Sequence, residues 1–385
     1  MRKLKKIIHV QLLPLMSGVQ KVSLDELTHL DANYFDRLVV CKCPGEFTEN
    51  LQKQGIRVHY IPELDRNISP WRDLRAYIAL KNFFINEKPD IVHTHSSKTG
   101  ILGRFAAKAA NVPFIIHTVH GFAFPAESQR AVKSLFKLLE FIAGTFTDKL
   151  IVLNSSDEKI AIHSLAIPSK KIILLPNGID ISTYCPADPQ QRLELRKFLF
   201  KINSEDHMII GMIGRLWRQK NPQCFIRAAI DVANCRNDVS FFVIGDGEFR
   251  NELDQLIQSS NCSDRIYILG WRSDVPKLLK GLDVMVLPSR WEGMPLAILE
   301  AMSTGVPVVA SNIPGNRDLI SDRLDGSLFS SDDHKELAKI LIDLIDQPAK
   351  RSRFSTMSLT KIHTKYTLHA RIEKIIAIYN EAISN

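Results

Sequence analysis

Short runs of valine, isoleucine and leucine alternate with amphipathic stretches along almost the entire chain. In the first half, IIHVQLL, DRLVV, IRVHYIP, DIVHTH, PFIIHTV, KLIVL and KIILLP read as strands. Helical periodicity between them predicts helices over 71–86, 99–110, 130–144 and 156–165. Continuous apolar runs suit strands covered on both faces, and covering helices at this spacing require right-handed crossovers in a parallel sheet. The alternation pauses between Asn177 and Asn203, where Pro186 and Pro189 precede the polar stretch QRLELRKFL. It resumes with HMIIGMIG, a helix over 222–235, SFFVIGDG, a helix over 248–259, RIYILG, DVMVLP and VPVVAS. Nearly every strand after the pause ends in Gly, Pro or Ser, as expected where loops at the carboxyl ends of strands face a ligand. The segment 369–382 is amphipathic, with Ile372, Ile375, Ile376 and Tyr379 on a face that packs back across the molecule. The pattern predicts an α/β protein with domains over 1–182 and 204–365, a link over 183–203 and a C-terminal helical segment over 366–385.

The length of 385 residues agrees with two domains, being larger than one doubly wound unit. With 45% hydrophobic and 24% charged residues, neither disorder nor a fibrous repeat fits. No apolar run reaches the length of a membrane-spanning helix. The opening MRKLKKIIHVQLLPLMSG is superficially like a signal peptide, but His9, Gln11 and Pro14 interrupt it and no small-residue cleavage site follows. A buried first strand is the better reading. The six cysteines form no CxxC pair and read as mostly buried thiols in a reducing compartment, which places the chain in the cytoplasm.

The net charge of +8 sits mostly in residues 1–182, where 24 basic residues face 17 acidic ones. Such a half is compatible with an anionic membrane surface or a phosphorylated acceptor. No zinc finger, aromatic-and-basic RNA motif or recognition helix accompanies it, so nucleic acid is not the expected partner.

Candidate chemistry concentrates in two blocks of the second half. In GRLWRQKNP, Gly214 ends an apolar strand, Arg215 follows at once, and Lys220 precedes a helix start at Asn221-Pro222. A forked guanidinium and a compact ammonium suit a diphosphate whose negative charge grows as it leaves. An ordinary solvated basic run is the alternative. In EGMPLAILEAMSTGVPVVAS, Pro295 opens a helix whose first-turn amides at Leu296, Ala297 and Ile298 lack intrahelical partners. Glu300 lies off the apolar face of that helix and suits the vicinal hydroxyls of a ribose. Glu292, in the preceding loop, suits sugar hydroxyls near the reacting carbon. Both could also be a helix-start or turn carboxylate.

In the first half, Gly18 follows the opening strand and would admit a bulky ligand, although a lone glycine is weak evidence. His120 ends HTVH and is a candidate for contact with the transferred sugar or its phosphate; a loop histidine satisfied by backbone is the alternative. His93 and His95 share one strand face and read as packing or loop residues. The 130–144 segment combines Leu135, Leu138, Phe141 and Ile142 with Arg130, Lys133 and Lys137, giving either core packing or a basic, apolar rim for a membrane. There is no HExxH, no DxD and no GxxxxGK[ST], so neither a metal nor an ATPase-type phosphate loop is expected.

With SGVQ at 17–20, DIVHTHSSKTG at 90–100, HTVHG at 117–121, PNGID at 176–180, GRLWRQKNP, VIGDGE and EGMPLAILEAMSTGVPVVAS, the chain resembles glycosyltransferase family 4. These are retaining enzymes of the GT-B fold. The resemblance covers nearly the full chain and implies two Rossmann-like, doubly wound domains facing a central cleft. It implies that Arg215 and Lys220 bind the diphosphate, Glu300 the ribose and Glu292 the donor sugar. Gly18 would lie by the phosphate and acceptor, and His120 would line the sugar site. Asn177 and Gly178 would fall in a hinge-side loop. Two departures stand out: Ser17-Gly18 replaces a glycine pair, and Asn316-Arg317-Asp318 occupies a place where glutamate is frequent.

The narrower likeness is to bacterial transferases of O-antigen, capsule and related surface polysaccharides. It implies transfer of a hexose or N-acetylhexosamine from a UDP-sugar to an undecaprenyl-diphosphate-linked saccharide, without a metal, at the cytoplasmic face of the inner membrane. A GT-B sugar-nucleotide epimerase and a noncatalytic glycan-binding protein are the alternatives. An NAD-linked oxidoreductase lacks its glycine fingerprint.

Overall fold

The computed structural model describes residues 4–127 and 129–384. The chain divides into two units, one running to Asn177 and resuming at Ala370, the other covering Gly178–His369. Residues 183–203, read from sequence as a link, belong to the second unit: Arg192 and Arg196 both bind Asp283, at 2.5 and 2.9 Å.

The first unit holds seven strands: β1 Lys5–Val10, β2 Phe35–Cys41, β3 Arg57–Tyr60, β4 Ile91–His95, β5 Phe114–Val119, β6 Lys149–Val152 and β7 Ile172–Leu174. They form a parallel sheet in the order β3-β2-β1-β4-β5-β6-β7. Every apolar run of the first half supplied a strand. One face of the sheet packs Ile8, Val10, Leu38 and Val92 against helices Pro70–Glu87 and Ser97–Ala109. The other packs Ile7, Phe35, Val39 and Ile116 against Ile375, Ile378 and Tyr379 of the last helix, Leu368–Ser384. That helix is anchored by Arg371, which is buried, pairs with buried Glu26 at 2.6 Å and donates to the Leu175 and Pro176 carbonyls.

The second unit contains β8 Met208–Ile213, β9 Val239–Ile244, β10 Ile266–Gly270, β11 Val284–Leu287, β12 Val308–Ser311 and β13 Ser327–Phe329. They are parallel, in the order β10-β9-β8-β11-β12-β13. Helices Pro222–Ala233 and His334–Asp346 cover one face through Phe225, Ala229, Leu337 and Leu341. In each unit the strand order reverses beside the first strand, between β1 and β4 and between β8 and β11. In open parallel sheets, loops leaving the carboxyl ends diverge at such a reversal, which is where ligands bind.

The cysteines are less enclosed than expected: Cys41, Cys224 and Cys262 are buried, Cys43 and Cys185 half-buried, and Cys235 exposed. All six are unpaired. No helix among the described residues is long and apolar enough to cross a membrane.

Candidate active site

In the second unit the loops after β8, β9 and β11 are bonded to one another. The Gly214 and Leu216 amides donate to Ile244 and Asp246 carbonyls at 3.0 Å each, which ties the loop after β8 to the loop after β9. Gly245 makes this possible. It sits at φ +150, and a Cβ there would lie 1.9 Å from the Gly214 carbonyl oxygen. Arg215 extends from the stitched loop with its guanidinium 4.6 Å from the Trp217 ring centroid, a cation–π contact that holds the fork while leaving it half-buried.

Lys220 ends the same loop. The next residue, Asn221, is buried at φ +52 and caps helix Pro222–Ala233. Its side chain makes no cap hydrogen bond; Nδ2 donates to Asp332 Oδ1 at 2.8 Å, and Arg290 Nε donates to the same oxygen at 2.9 Å. Asp332 thus joins the loop after β8 to the loop after β11. The Arg290 amide adds a bond to the Gln219 carbonyl at 2.8 Å.

These braces bring Glu292 to Lys220. Glu292 Oε1 accepts from Lys220 Nζ at 2.5 Å and Oε2 from Gln219 Nε2 at 3.3 Å, with the Glu292 side chain only 8% exposed. Beneath it, Gly315 lets the chain pass close: a Cβ would lie 2.5 Å from the Gly293 carbonyl oxygen. Neighbouring Asn316 is fully buried and donates to the Ser311 carbonyl, so it braces the loop.

Helix Leu296–Ser303 follows. Pro295 occupies the cap position, one residue earlier than the sequence reading placed it, and the first three helical residues are Leu296, Ala297 and Ile298. The Ile298 amide makes a long bond to the Pro295 carbonyl at 3.3 Å. The Leu296 and Ala297 amides belong to the turn that an α-helix cannot satisfy internally, so they are suited to an anion. Ile298, Leu299, Ala301 and Met302 are buried, and Glu300 stands half-buried off that face. The structure therefore joins Gly214, Arg215, Lys220 and Glu292 through one set of loops, with the helix start and Glu300 continuing the same chain segment.

In the first unit, Gly18 is exposed and opens helix Gly18–Thr28 at negative φ, so what it offers is the missing side chain. His120 follows β5, and its Nε2 lies 3.2 Å from His95 Nδ1. Burial lowers its pKa to about 3, so the ring is neutral. His93 and His95 are fully buried on β4 beside His9 of β1, with burial holding all three rings well below their usual pKa. Among the described residues, His9, Glu26, His93 and His95 could together hold a metal ion, their ligand atoms lying within 4.8 Å of one another. Both nitrogens of each ring meet protein partners and Glu26 Oε1 takes Arg371, while Glu26 Oε2 is buried without a hydrogen-bond partner.

Gln219, Asn221, Arg290 and Asp332 were not singled out from sequence as site residues. Their roles depend on loops meeting across more than a hundred positions in the case of Asn221 and Asp332. No local pattern marks that.

Two parallel sheets, each with its strand order reversing beside its first strand, are the paired doubly wound architecture of the GT-B fold. Residues 16–183 match the Glycosyltransferase Family 4 profile and 196–358 the Glycosyl transferases group 1 profile. The chain is 43% identical over 383 residues to an Escherichia coli protein named UDP-Gal:alpha-D-GlcNAc-diphosphoundecaprenol alpha-1,3-galactosyltransferase, covering 99% of this chain and 98% of the relative. It is 26% identical over 367 residues to the Campylobacter jejuni N,N'-diacetylbacillosaminyl-diphospho-undecaprenol alpha-1,3-N-acetylgalactosaminyltransferase, covering 91% and 92%. Among solved structures, Anabaena HepE in complex with UDP and glucose superposes with a TM-score of 0.84 at 21% identity, over 98% of this chain and 100% of that one. The chain belongs to glycosyltransferase family 4.

Proposed function

We propose that this enzyme transfers a hexose or N-acetylhexosamine, with retention, from a UDP-sugar to a saccharide on undecaprenyl diphosphate during surface-polysaccharide assembly. The observation that carries the reading is the Lys220–Glu292 pair, 2.5 Å long and placed just before the helix start at Leu296. In the reaction the bond from the anomeric carbon to the diphosphate oxygen breaks and a bond to the acceptor hydroxyl oxygen forms on the same face. The acceptor proton passes to the leaving diphosphate. Arg215, Lys220 and the amides of Leu296 and Ala297 stabilise the departing charge. Glu292, relieved of Lys220 when the ammonium turns to phosphate, is then an acceptor for sugar hydroxyls. On the second unit Glu300 holds the ribose and Gly214 admits the phosphate chain; on the first unit Gly18 leaves room for a bulky ligand and His120 meets the substrate. Galactose is the first donor sugar to test, because the Escherichia coli relative is named for it and matches nearly end to end.

The same proposal places the first unit against an anionic membrane. Helix Arg130–Phe146 turns Glu140, Ala143 and Gly144 inward, Glu140 pairing with buried Arg104 at 2.6 Å. Its apolar stripe, Leu135, Leu138, Phe141 and Ile142, is outward, with exposed Arg130, Lys133 and Lys137 along one edge. An outward apolar stripe flanked by cations suits the interface of an anionic bilayer.

The test is a panel of UDP-sugars with a synthetic N-acetylglucosaminyl-diphosphate lipid, reading released UDP and lipid product together. One donor yielding equal amounts of UDP and extended lipid supports the proposal. Donor epimerisation without lipid product, or no turnover over a broad acceptor panel, overturns it.

A further inference from the structure

Five side chains of the first unit form one continuous hydrogen-bonded line that ends at a sixth, Thr118. His120 Nε2 meets His95 Nδ1 at 3.2 Å, and His95 Nε2 meets His9 Nδ1 at 3.1 Å. His9 Nε2 meets the Tyr379 hydroxyl at 2.8 Å, which also meets His93 Nδ1 at 2.7 Å. His93 Nε2 ends the line on Thr118 Oγ1 at 2.7 Å. The residues come from β1, β4, the β5 end and the last helix.

We propose that Tyr379 is a positioning residue for His120: its hydroxyl completes this line and gives His120 a single tautomer. The proposal rests on the reading that His120 meets substrate. A neutral imidazole has one N–H and one lone pair, so a ring that donates at one nitrogen must accept at the other. His95, His9 and His93 each use both nitrogens within the line. From ring to ring the direction of donation at one link sets the direction at the next, and Tyr379 carries it on when its oxygen accepts from one ring and its proton goes to the other. A reversal between two rings would bring two lone pairs or two N–H groups face to face, and a reversal at Tyr379 would leave its buried proton without an acceptor; an unmade hydrogen bond there is costly. An imidazolium, which donates from both nitrogens, would break the order, and burial keeps all four rings neutral.

Tyr379 is the one member that is not an imidazole, and it transmits the order because a phenol accepts with its oxygen while donating its proton. Burial pushes its pKa well above the usual value, so the proton stays. The Ser23 hydroxyl, 2.8 Å from His9 Nδ1, can donate or accept and so imposes no direction of its own. Arg371, about two helical turns before Tyr379, clamps the last helix to Glu26 and fixes where the phenol stands. The consequence falls on His120: with Nε2 committed to His95, Nδ1 offers substrate either a proton or a lone pair, but not both. The Thr118 end meets no acid or base along the line, so the arrangement orders protons and does not export them.

The experiment uses the full chain with ring-15N histidine, reading tautomers from long-range 1H–15N correlations alongside kinetics. Wild-type His120 is expected to show one neutral tautomer. Tyr379→Phe keeps the ring but cuts the line; His120 should then show both tautomers and kcat should fall about tenfold, with KM for the donor unchanged within about twofold. Phe35→Leu loosens packing at the edge of the same phenol without touching its hydroxyl, and should leave the tautomer as it was. His95→Gln cuts the line one link from His120 and is read in the same way if Tyr379→Phe does not fold. Mixed tautomers in the wild type, an unchanged His120 spectrum in Tyr379→Phe, or mixing by Phe35→Leu alone would each overturn the inference. So would one tightly bound zinc ion per chain on these rings. Full turnover by His120→Ala would instead sink the substrate role of His120 while leaving the tautomer order standing.

Discussion

Lys220 and Glu292 are 72 positions apart in sequence, and their charged ends meet at 2.5 Å. Under the proposed function, the pair holds a cation for the leaving diphosphate and a carboxylate for the sugar in one contact. Each masks the other until a ligand arrives, so their substitutions should separate binding from turnover. Lys220→Ala is expected to weaken UDP binding and to lower kcat by about 10²–10³, the scale for removing a group aimed at developing negative charge. Glu292→Gln frees the ammonium. It should bind UDP at least as tightly as wild type in calorimetry while losing most of its transfer activity. Weaker UDP binding by Glu292→Gln would mean that the carboxylate does not compete for Lys220.

Gly245 is where the loops after β8 and β9 touch. Gly245→Ala would place a methyl 1.9 Å from the Gly214 carbonyl oxygen at a backbone angle that disfavours side chains. A loss of about 2–4 kcal/mol in denaturant unfolding is expected, from the clash together with backbone strain. Donor affinity should fall with it, because Arg215 and Lys220 stand on the displaced loop.

Arg371 is buried against Glu26 and two carbonyls. Arg371→Ala leaves a buried carboxylate without its counter-charge and should destabilise the first unit by about 3–5 kcal/mol. Arg371→Met with Glu26→Leu removes both charges and should recover part of that loss. No recovery in the double variant would show that the carbonyl contacts, and not the charge pair, hold the helix.

The buried histidines make the first unit sensitive to acid. His9, His93, His95, His117 and His120 are all depressed by burial, His9 and His120 to about 3. The unfolded chain takes up protons near 6.5 while the folded rings resist until far lower, so stability falls as pH drops from about 6.5 towards 3. Glu26, raised by burial, acts in the opposite direction as a single carboxyl. Thermal unfolding should therefore begin at a lower temperature at pH 5.5 than at pH 7.5. An unchanged midpoint would contradict neutral burial of these rings.

Leu138 and Phe141 stand outward on helix Arg130–Phe146, 53% and 44% exposed. Leu138→Glu with Phe141→Glu should reduce binding to anionic vesicles at least about tenfold, by removing apolar contact and adding repulsion. Transfer to a short-chain, water-soluble acceptor should be untouched. Equal vesicle binding by the variant would remove the membrane role from this face.

Much of the scaffold was legible because strands of a doubly covered parallel sheet are nearly uninterrupted apolar runs. The three-residue β13 escaped because SLF is too short to show a pattern. Gly214, Arg215, Lys220 and Glu292 could be named from their motifs, but the Lys220–Glu292 contact could not, because it depends on how two loops are braced by Asp332. Helix Arg130–Phe146 was ambiguous for a related reason: the inward residue is Glu140, and only its partner Arg104 on another helix explains that choice. His9 read as a break in a signal-like apolar run within the first strand, and Tyr379 as one residue of an apolar face. Periodicity assigns a residue to a face, but it does not show which polar groups from four separate segments meet there.

Retaining transfer from a UDP-sugar at the Lys220–Glu292 site can be followed through the intact mass and anomeric configuration of an N-acetylglucosaminyl-diphosphate lipid incubated with UDP-galactose and either wild type or Glu292→Gln. Wild type should add one hexose, α-linked, and Glu292→Gln should not. A β-linked product, or equal product from both proteins, would rule out retaining transfer through this pair.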